Sequence, residues 1–450
     1  MTRALARELY EDVRLLPILS PHGHTQPQWF ALNEQFPDPS HLLIVPDHYV
    51  FRMLYSQGIP LESLGVGHGN QADPRDIWRI FANNYNLFRG TPTRLWMDYA
   101  FQNVFGLTET LTPSNADSTY DAIADCLAKP EFRPRALLDR FGIEVLATTD
   151  SPLDSLEYHA TIAGAGLRTR VIPTFRPDSV VDPDFAGFVE NLMQLGALTG
   201  EDTTNWQGYL NALAQTRLRF KALGATATDH GHPTPATADL ATASAERLFW
   251  NILTGNSSTS ERELFRGQML TEMARMSLDD GLVMQIHPGS FRNHNTSIHE
   301  RFGRDVGADI PMAIDYVHHL QPLLRRFGNE PGLTIILFTL DESTYSRELA
   351  PLAGHYPALR LGPAWWFHDS PEGIMRYREL TTETAGFYNT VGFNDDTRAL
   401  LSIPGRHDLA RRVDCSFLAR LVAEHRLDRQ EAHQIAHALA YDLPKKAYKL

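Results

Sequence analysis

Eight short apolar runs, each ending in polar residues and each followed by a longer helix-patterned stretch, constrain what this chain can fold into. They cover residues 15–24, 143–150, 171–176, 225–232, 282–287, 333–340, 359–367 and 390–398. Such alternation marks parallel βα units, because two parallel strands can be joined only by a crossover, usually a helix. Eight units predict an α/β fold, a (β/α)8 TIM-like barrel whose functional groups gather at the C-terminal strand ends. About 120 residues separate the first two runs, far more than one crossover helix requires. That span holds helix-like segments at 48–57, 75–88, 93–105 and 118–128. It predicts an inserted helical subdomain over approximately 40–135, after the first strand and able to cover the barrel mouth, within a single domain spanning 1–450. Residues 182–223 read as the third crossover helix plus an extra segment. Residues 404–424 and 429–441 read as packing helices, followed by a basic Lys445-Lys446-Ala447-Tyr448-Lys449 tail.

The net charge of −13 argues against a nucleic-acid partner, since phosphate contacts need clustered Lys and Arg. It leaves room for a small anionic substrate held by local arginines. The two cysteines, Cys126 and Cys415, suggest neither a disulfide framework nor a Cys-zinc site and fit a reducing cytoplasm. Glu8, Glu11 and Asp12 interrupt any signal-peptide core, and no uncharged apolar run is long enough to span a bilayer. The expectation is a cytoplasmic protein without membrane partners. A homo-oligomer stays open.

The polar strand ends carry the candidate chemistry. His22-Gly23-His24 closes the first run, and residues two apart on a strand share a face, so both imidazoles can address one site. Asn394-Asp395-Asp396 ends the eighth run; alternation sends one of the two aspartates inward and the other outward. Two imidazoles and a distant carboxylate suit a divalent transition metal. Taken singly, each has a plainer reading: solvated histidines, or a capping carboxylate. His287 reads as a further ligand, a substrate donor or a satisfied interior histidine. The cluster Asp229, His230 and His232 reads equally as a turn with Asp229 as its cap. Asp47-His48-Tyr49 with Arg52 opens a helix, where His48 and Tyr49 each lie one turn from Arg52; a capped helix start accounts for them as well. Arg176 and Arg398 offer bidentate grips on a carboxylate, or salt bridges to nearby acids. Trp365 and Trp366 suggest one core residue and one pocket wall.

Taken in order, His22-Gly23-His24, Asp47-His48-Tyr49-x-x-Arg52, Thr148-Thr149-Asp150, Phe175-Arg176-Pro177-Asp178, Arg292-Asn293, Ala364-Trp365-Trp366-Phe367 and Asp396-Thr397-Arg398 resemble the uronate isomerase family, also called glucuronate isomerase. This is a divergent branch of the amidohydrolase superfamily. The resemblance runs from about residue 10 to the C-terminus. It implies a (β/α)8 barrel and interconversion of glucuronate with fructuronate, or of galacturonate with tagaturonate. It places His22, His24 and Asp396 on a single-metal site, usually described with zinc. Tyr49 falls on the candidate proton-transfer tyrosine, Arg398 on an arginine beside it, and His48 near the reaction. Arg176 falls on the carboxylate anchor, Trp366 on a pocket tryptophan, and Arg292 on a substrate-facing loop; Arg52 and His287 complete the expected substrate contacts. Ser20-Pro21 stand where the family usually has an acid before the His-x-His, and Gly23 stands where cysteine is common.

Aldose-ketose isomerisation moves a proton between neighbouring carbons while charge on oxygen is stabilised. The expected arrangement is Tyr49, its pKa lowered by Arg398, carrying the proton beside the metal, with Arg176 holding the remote carboxylate. Two other functions compete. A mononuclear metal-dependent hydrolase would use Asp396 to activate a metal-bound water, but the fourth run lacks the lysine and the sixth the histidine typical of binuclear members of the superfamily. A non-catalytic sugar-acid-binding barrel would bind without turnover.

Overall fold

The computed structural model describes residues 2–67, 69 and 71–450 of the chain. Seven parallel strands occur in the expected order: Ile18–Ser20, Ile143–Ala147, Arg170–Ile172, Ala227–His230, Val283–Ile286, Ile335–Leu337 and Leu359–Leu361. The first three pair as one parallel sheet and the last four as another. Phe175 bridges the two, pairing in parallel with Asp150 on one side and Thr228 on the other. Leu361 of the last strand pairs in the same sense with Thr390. This is an α/β, TIM-like arrangement in which neighbouring strands follow chain order.

The strands are shorter than the apolar runs that announce them. The first begins only at Ile18, because Pro17 cannot donate to a ladder and Leu15 lies 78% exposed. The eighth run, 390–398, forms no regular strand among the described residues; beyond Thr390 it becomes an irregular segment in which Asp396 adopts a φ of +37°. Trp366, placed by the sequence at the end of the seventh run, lies in a 3-10 turn, Trp366–His368, with a φ of +50°. Both departures fall where side chains must point into a cavity rather than alternate across a pleat.

Between the first two strands lie the helices His48–Tyr55, Pro74–Asn83, Pro92–Tyr99 and Ala116–Leu127. Each starts close to its expected position, and the caps explain why. Asp47 accepts the Tyr49 N–H, Asp73 those of Arg75 and Asp76, and Thr91 that of Arg94. Their apolar faces, including Trp78 and Phe81, join Tyr85 and Phe101 from the connecting turns in one aromatic-rich cluster. The strands and the helices that follow them pack a second, around Phe175, Tyr209, Phe249 and Phe265.

The basic tail does not extend into solvent. After the short helix Leu443–Ala447, Tyr448 is 0% exposed and packs with Ala227, Val283, Ile336 and Val391 from the strand segments. Lys445 bonds Glu144 at 2.8 Å, and Lys449 bonds the Gly281 carbonyl at 2.9 Å. The charges mask an apolar insertion: the stems lie along the protein while the ammonium groups reach its rim. No helix among the described residues is long and apolar enough to cross a membrane.

Candidate functional site

Main-chain hydrogen bonds tie the two ends of the chain together at the site. The Asp396 N–H donates to the His22 carbonyl at 3.1 Å, and the His24 N–H to the Thr397 carbonyl at 2.9 Å. The left-handed backbone at Asp396, costly for a non-glycine residue, separates the two neighbouring carboxylates. Asp395 turns away to accept from Ser20 Oγ at 3.1 Å and meets His407 Nε2 at 3.0 Å. Asp396 turns inward, its Oδ1 3.1 Å from His24 Nε2 and 3.5 Å from His22 Nε2. The expected one-in, one-out split is therefore present, produced by backbone strain rather than by strand alternation. Ser20 is occupied in holding Asp395.

His22, His24 and Asp396 each offer one ligand atom, and these atoms lie within 4.8 Å of one another. His22 Nε2 is buried without a hydrogen-bond partner, while its Nδ1 meets Gln285 Oε1 at 2.7 Å. Two imidazole nitrogens and a carboxylate fit a metal ion, as does the local field. Against the cost of burial, Asp229 and Asp396 raise the His22 pKa to about 9. Asp396, also against burial, is held well below the ordinary carboxylate range by His22 and His24. Such surroundings favour positive charge at this point.

A cavity of about 810 Å³ opens beside this triad, and His24, Asp396, His48, Tyr49, Arg52, Arg176, His287, Arg292, Trp366 and Arg398 all line it. His22, 2% exposed, does not. The capped helix start at Asp47 and the functional reading of His48 and Tyr49 are thus one arrangement: the cap at 2.8 Å fixes the first turn, and the first turn presents both rings to the cavity. His48 and Tyr49 stack with centroids 4.5 Å apart. His48 Nε2 and the Tyr49 hydroxyl are both buried without a partner.

The electrostatics correct one expectation. Tyr49 is not made acidic by Arg398. Burial pushes its phenol well above the usual value, and the cation that pulls it back is Arg406. Arg406 lies 3.5 Å over the Trp96 ring and 5.9 Å over Tyr49, and bonds Asp369 at 2.5 Å and the Asp395 carbonyl at 2.9 Å. Arg398 lies 3.7 Å from Asp305 instead. Its charge acts on His48, which burial and then Arg398 depress to about 3, leaving a neutral imidazole.

Arg176 donates from Nε to Asp178 at 2.9 Å and places Nη1 3.4 Å from Asp229. Arg292 bonds Asp309 at 2.7 Å and sits 5.0 Å over the Trp366 ring. Arg52 lies 4.6 Å over Phe367. Trp365 is not a pure core residue: it lines the cavity while its Nε1 donates to the Thr339 carbonyl at 2.9 Å. Asp229 is not a turn cap. It sits on the strand Ala227–His230, 0% exposed, with His287 Nε2 at 2.8 Å, and so forms part of the charged floor beneath Arg176. His230 instead meets Thr228 Oγ1 at 3.0 Å.

Sequence reasoning missed Arg406, Asp305 and Gln285. Arg406 lies inside the helix Ile403–Ala423 and Asp305 in a loop, with no local pattern to mark either. Gln285 did carry a signal: it is a polar residue in the apolar strand Val283–Ile286, two positions before His287 and on the same face.

Comparison with known proteins gives a consistent result. The glucuronate isomerase family model matches residues 1–448. A uronate isomerase of Rhizorhabdus wittichii is 64% identical over 449 residues, which span 100% of this chain and 96% of that protein. The crystal structure of a glucuronate isomerase from Caulobacter crescentus matches with a TM-score of 0.98 at 58% identity, covering 100% of this chain and 94% of the other. A uronate isomerase structure from Thermotoga maritima matches with a TM-score of 0.94 at 27% identity, covering 99% and 97%.

Proposed function

The chain belongs to the glucuronate isomerase family, and on that premise we propose that it interconverts a uronate aldose and its ketose in the cavity beside His22, His24 and Asp396, with one divalent ion, zinc, held by those three residues. The observation that carries the reading is the convergence, in one cavity, of this ligand triad with a buried tyrosine hydroxyl that has no partner. A divalent ion bound there supplies Lewis-acid stabilisation of charge on the sugar oxygens.

The chain's own groups have resting states suited to the proton movements. Asp396 is ionised and Tyr49 protonated. In the aldose-to-ketose direction, Asp396 takes the proton from C2 while the Tyr49 phenol gives its proton to the carbonyl oxygen on C1, forming an enediol. Asp396 then returns its proton to C1, and the Tyr49 phenolate takes the hydroxyl proton from O2. Arg406 steadies the phenolate between these steps. His48, neutral and stacked on Tyr49, keeps that ring in place. Arg176, which lines the cavity, anchors the remote carboxylate with help from Arg292, Arg398 and Arg52, so binding energy there fixes the reacting carbons. His287 and Trp366 wall the pocket.

The inserted stretch at about 40–135 acts as a helical subdomain that supplies His48, Tyr49 and Arg52 to the mouth of a single barrel domain. The free cysteines and the sugar-acid substrate favour a cytoplasmic setting. Family membership disfavours the hydrolase reading. The test is to incubate the purified protein with glucuronate or galacturonate and follow ketose formation by NMR. Turnover should disappear with a chelator and return with Zn²⁺; turnover that survives complete metal removal refutes the proposed site.

A further inference from the structure

We propose that Tyr448 is a positioning residue for His22, acting through the Gln285 amide to keep the His22 ring in the tautomer that can ligate a metal. The inference rests on the metal-site reading above and extends it to a segment that carries no site residue. The Tyr448 hydroxyl donates to Gln285 Oε1 at 2.9 Å, and the same oxygen lies 2.7 Å from His22 Nδ1. An amide oxygen can only accept. With Oε1 facing the imidazole, the neutral ring, the form that ligates a metal, carries its hydrogen on Nδ1 and keeps the lone pair on Nε2, the atom that faces Asp396.

The amide could turn over, and the consequence would be large. With NH2 facing His22, Nδ1 would become the acceptor, the ring hydrogen would move to Nε2, and His22 would cease to be a ligand. Two contacts oppose that flip: Gln285 Nε2 donates to the Thr228 carbonyl at 3.3 Å, and Tyr448 donates to Oε1 at the shorter 2.9 Å. An alternative acceptor for Tyr448, Asn394 Oδ1, is farther away at 3.4 Å. Tyr448, Gln285 and His22 are each at most 2% exposed, so the loss of one of these bonds is not made good by bulk water. Tyr448 owes its place to the inserted tail, held by Lys445 on Glu144 and Lys449 on Gly281.

The experiment measures Zn²⁺ affinity of the full chain by competition with a chromophoric chelator, alongside the melting temperature of the metal-free protein. Partners that orient a ligand typically change metal affinity by ~10–100-fold. Tyr448→Phe, which removes only the hydroxyl, should weaken Zn²⁺ binding about 10-fold. In a Gln285→Glu background, where either carboxylate oxygen accepts from Nδ1 and no flip exists, Tyr448→Phe should change the affinity less than about twofold. Unchanged affinity in Tyr448→Phe, with or without a lower melting temperature, overturns the inference without need of the second background. So does an equal loss in both backgrounds. His24→Ala separates the premises: if it binds Zn²⁺ as the unsubstituted chain does, the metal site itself is misplaced, whereas loss in His24→Ala with no effect of Tyr448→Phe refutes only the role of Tyr448.

Discussion

Tyr49→Phe should separate activity from stability, in opposite directions. The hydroxyl is buried and has no hydrogen-bond partner, so the folded protein bears its desolvation without compensation, a cost of about 1–3 kcal/mol. Phenylalanine keeps the ring, and with it the 4.5 Å stack on His48 and the 5.7 Å contact with Trp96. The variant should therefore be more stable by about 1–3 kcal/mol. For a chain of 450 residues the unfolding entropy is about 0.9 kcal/mol/K. The melting temperature should rise by about 1–3 °C. Turnover should fall by ~10²–10⁴-fold, the usual contribution of a positioned acid or base. The two assays are a thermal melt of the metal-free protein and NMR detection of the ketose under single-substrate conditions. A melting temperature that falls by a few degrees would mean that the hydroxyl has a structural partner. Turnover within about fivefold of the unsubstituted chain would remove Tyr49 from the proton path.

Other changes test the surrounding contacts. Arg176→Ala should raise KM by ~10–150-fold, the worth of a charge-assisted hydrogen bond of about 1.5–3 kcal/mol, with a smaller change in kcat. It should also lower stability, because it removes a counter-charge from the fully buried Asp229; unchanged KM would transfer the anchor to Arg292, Arg398 or Arg52. Asp47→Ala removes the cap that sets the Tyr49 turn and should cost ~1 kcal/mol of stability together with a loss of kcat, whereas loss of stability alone would mean that the turn needs no cap to present the ring. Burial holds His159 neutral, its pKa lowered from 6.5 to about 4. Because that value lies below the unfolded one, its contribution is complete above pH 6.5 and is lost as pH falls towards 4. The stability difference between the unsubstituted chain and His159→Gln should therefore shrink by about 1.4 kcal/mol per pH unit over that window, and denaturant midpoints that run parallel across it would contradict the assignment.

Much of the site was legible in order along the chain. His22, His24 and Asp396 stood out because a metal needs particular donor types, and strand ends are where such donors can meet. Helix spacing put Tyr49 and Arg52 one turn apart but fitted a capped helix start equally well, and only the family resemblance marked them as site residues. The assignment of a cation to Tyr49 was not legible: Arg398 is near Asp396 in sequence, but Arg406, in the first turn of the helix Ile403–Ala423, reaches the ring while stacked on Trp96. Nor did Lys445-Lys446-Ala447-Tyr448-Lys449 announce an insertion, because a segment with three lysines reads as solvated until their stems and partners are placed.

The sequence by itself determined the α/β architecture, the succession of strand runs along the chain, the helices before the second strand and the residue types that gather at His22, His24 and Asp396. All of these follow from local periodicity and from chemistry confined to a few neighbouring residues. Only the tertiary structure decided the left-handed turn that parts Asp395 from Asp396, the pairing of Arg406 with Tyr49, and the contact between Tyr448 and Gln285 across 163 residues. Contacts of that range leave no periodic trace in the chain. They arise when buried polar groups from distant segments, shut away from water, must satisfy one another.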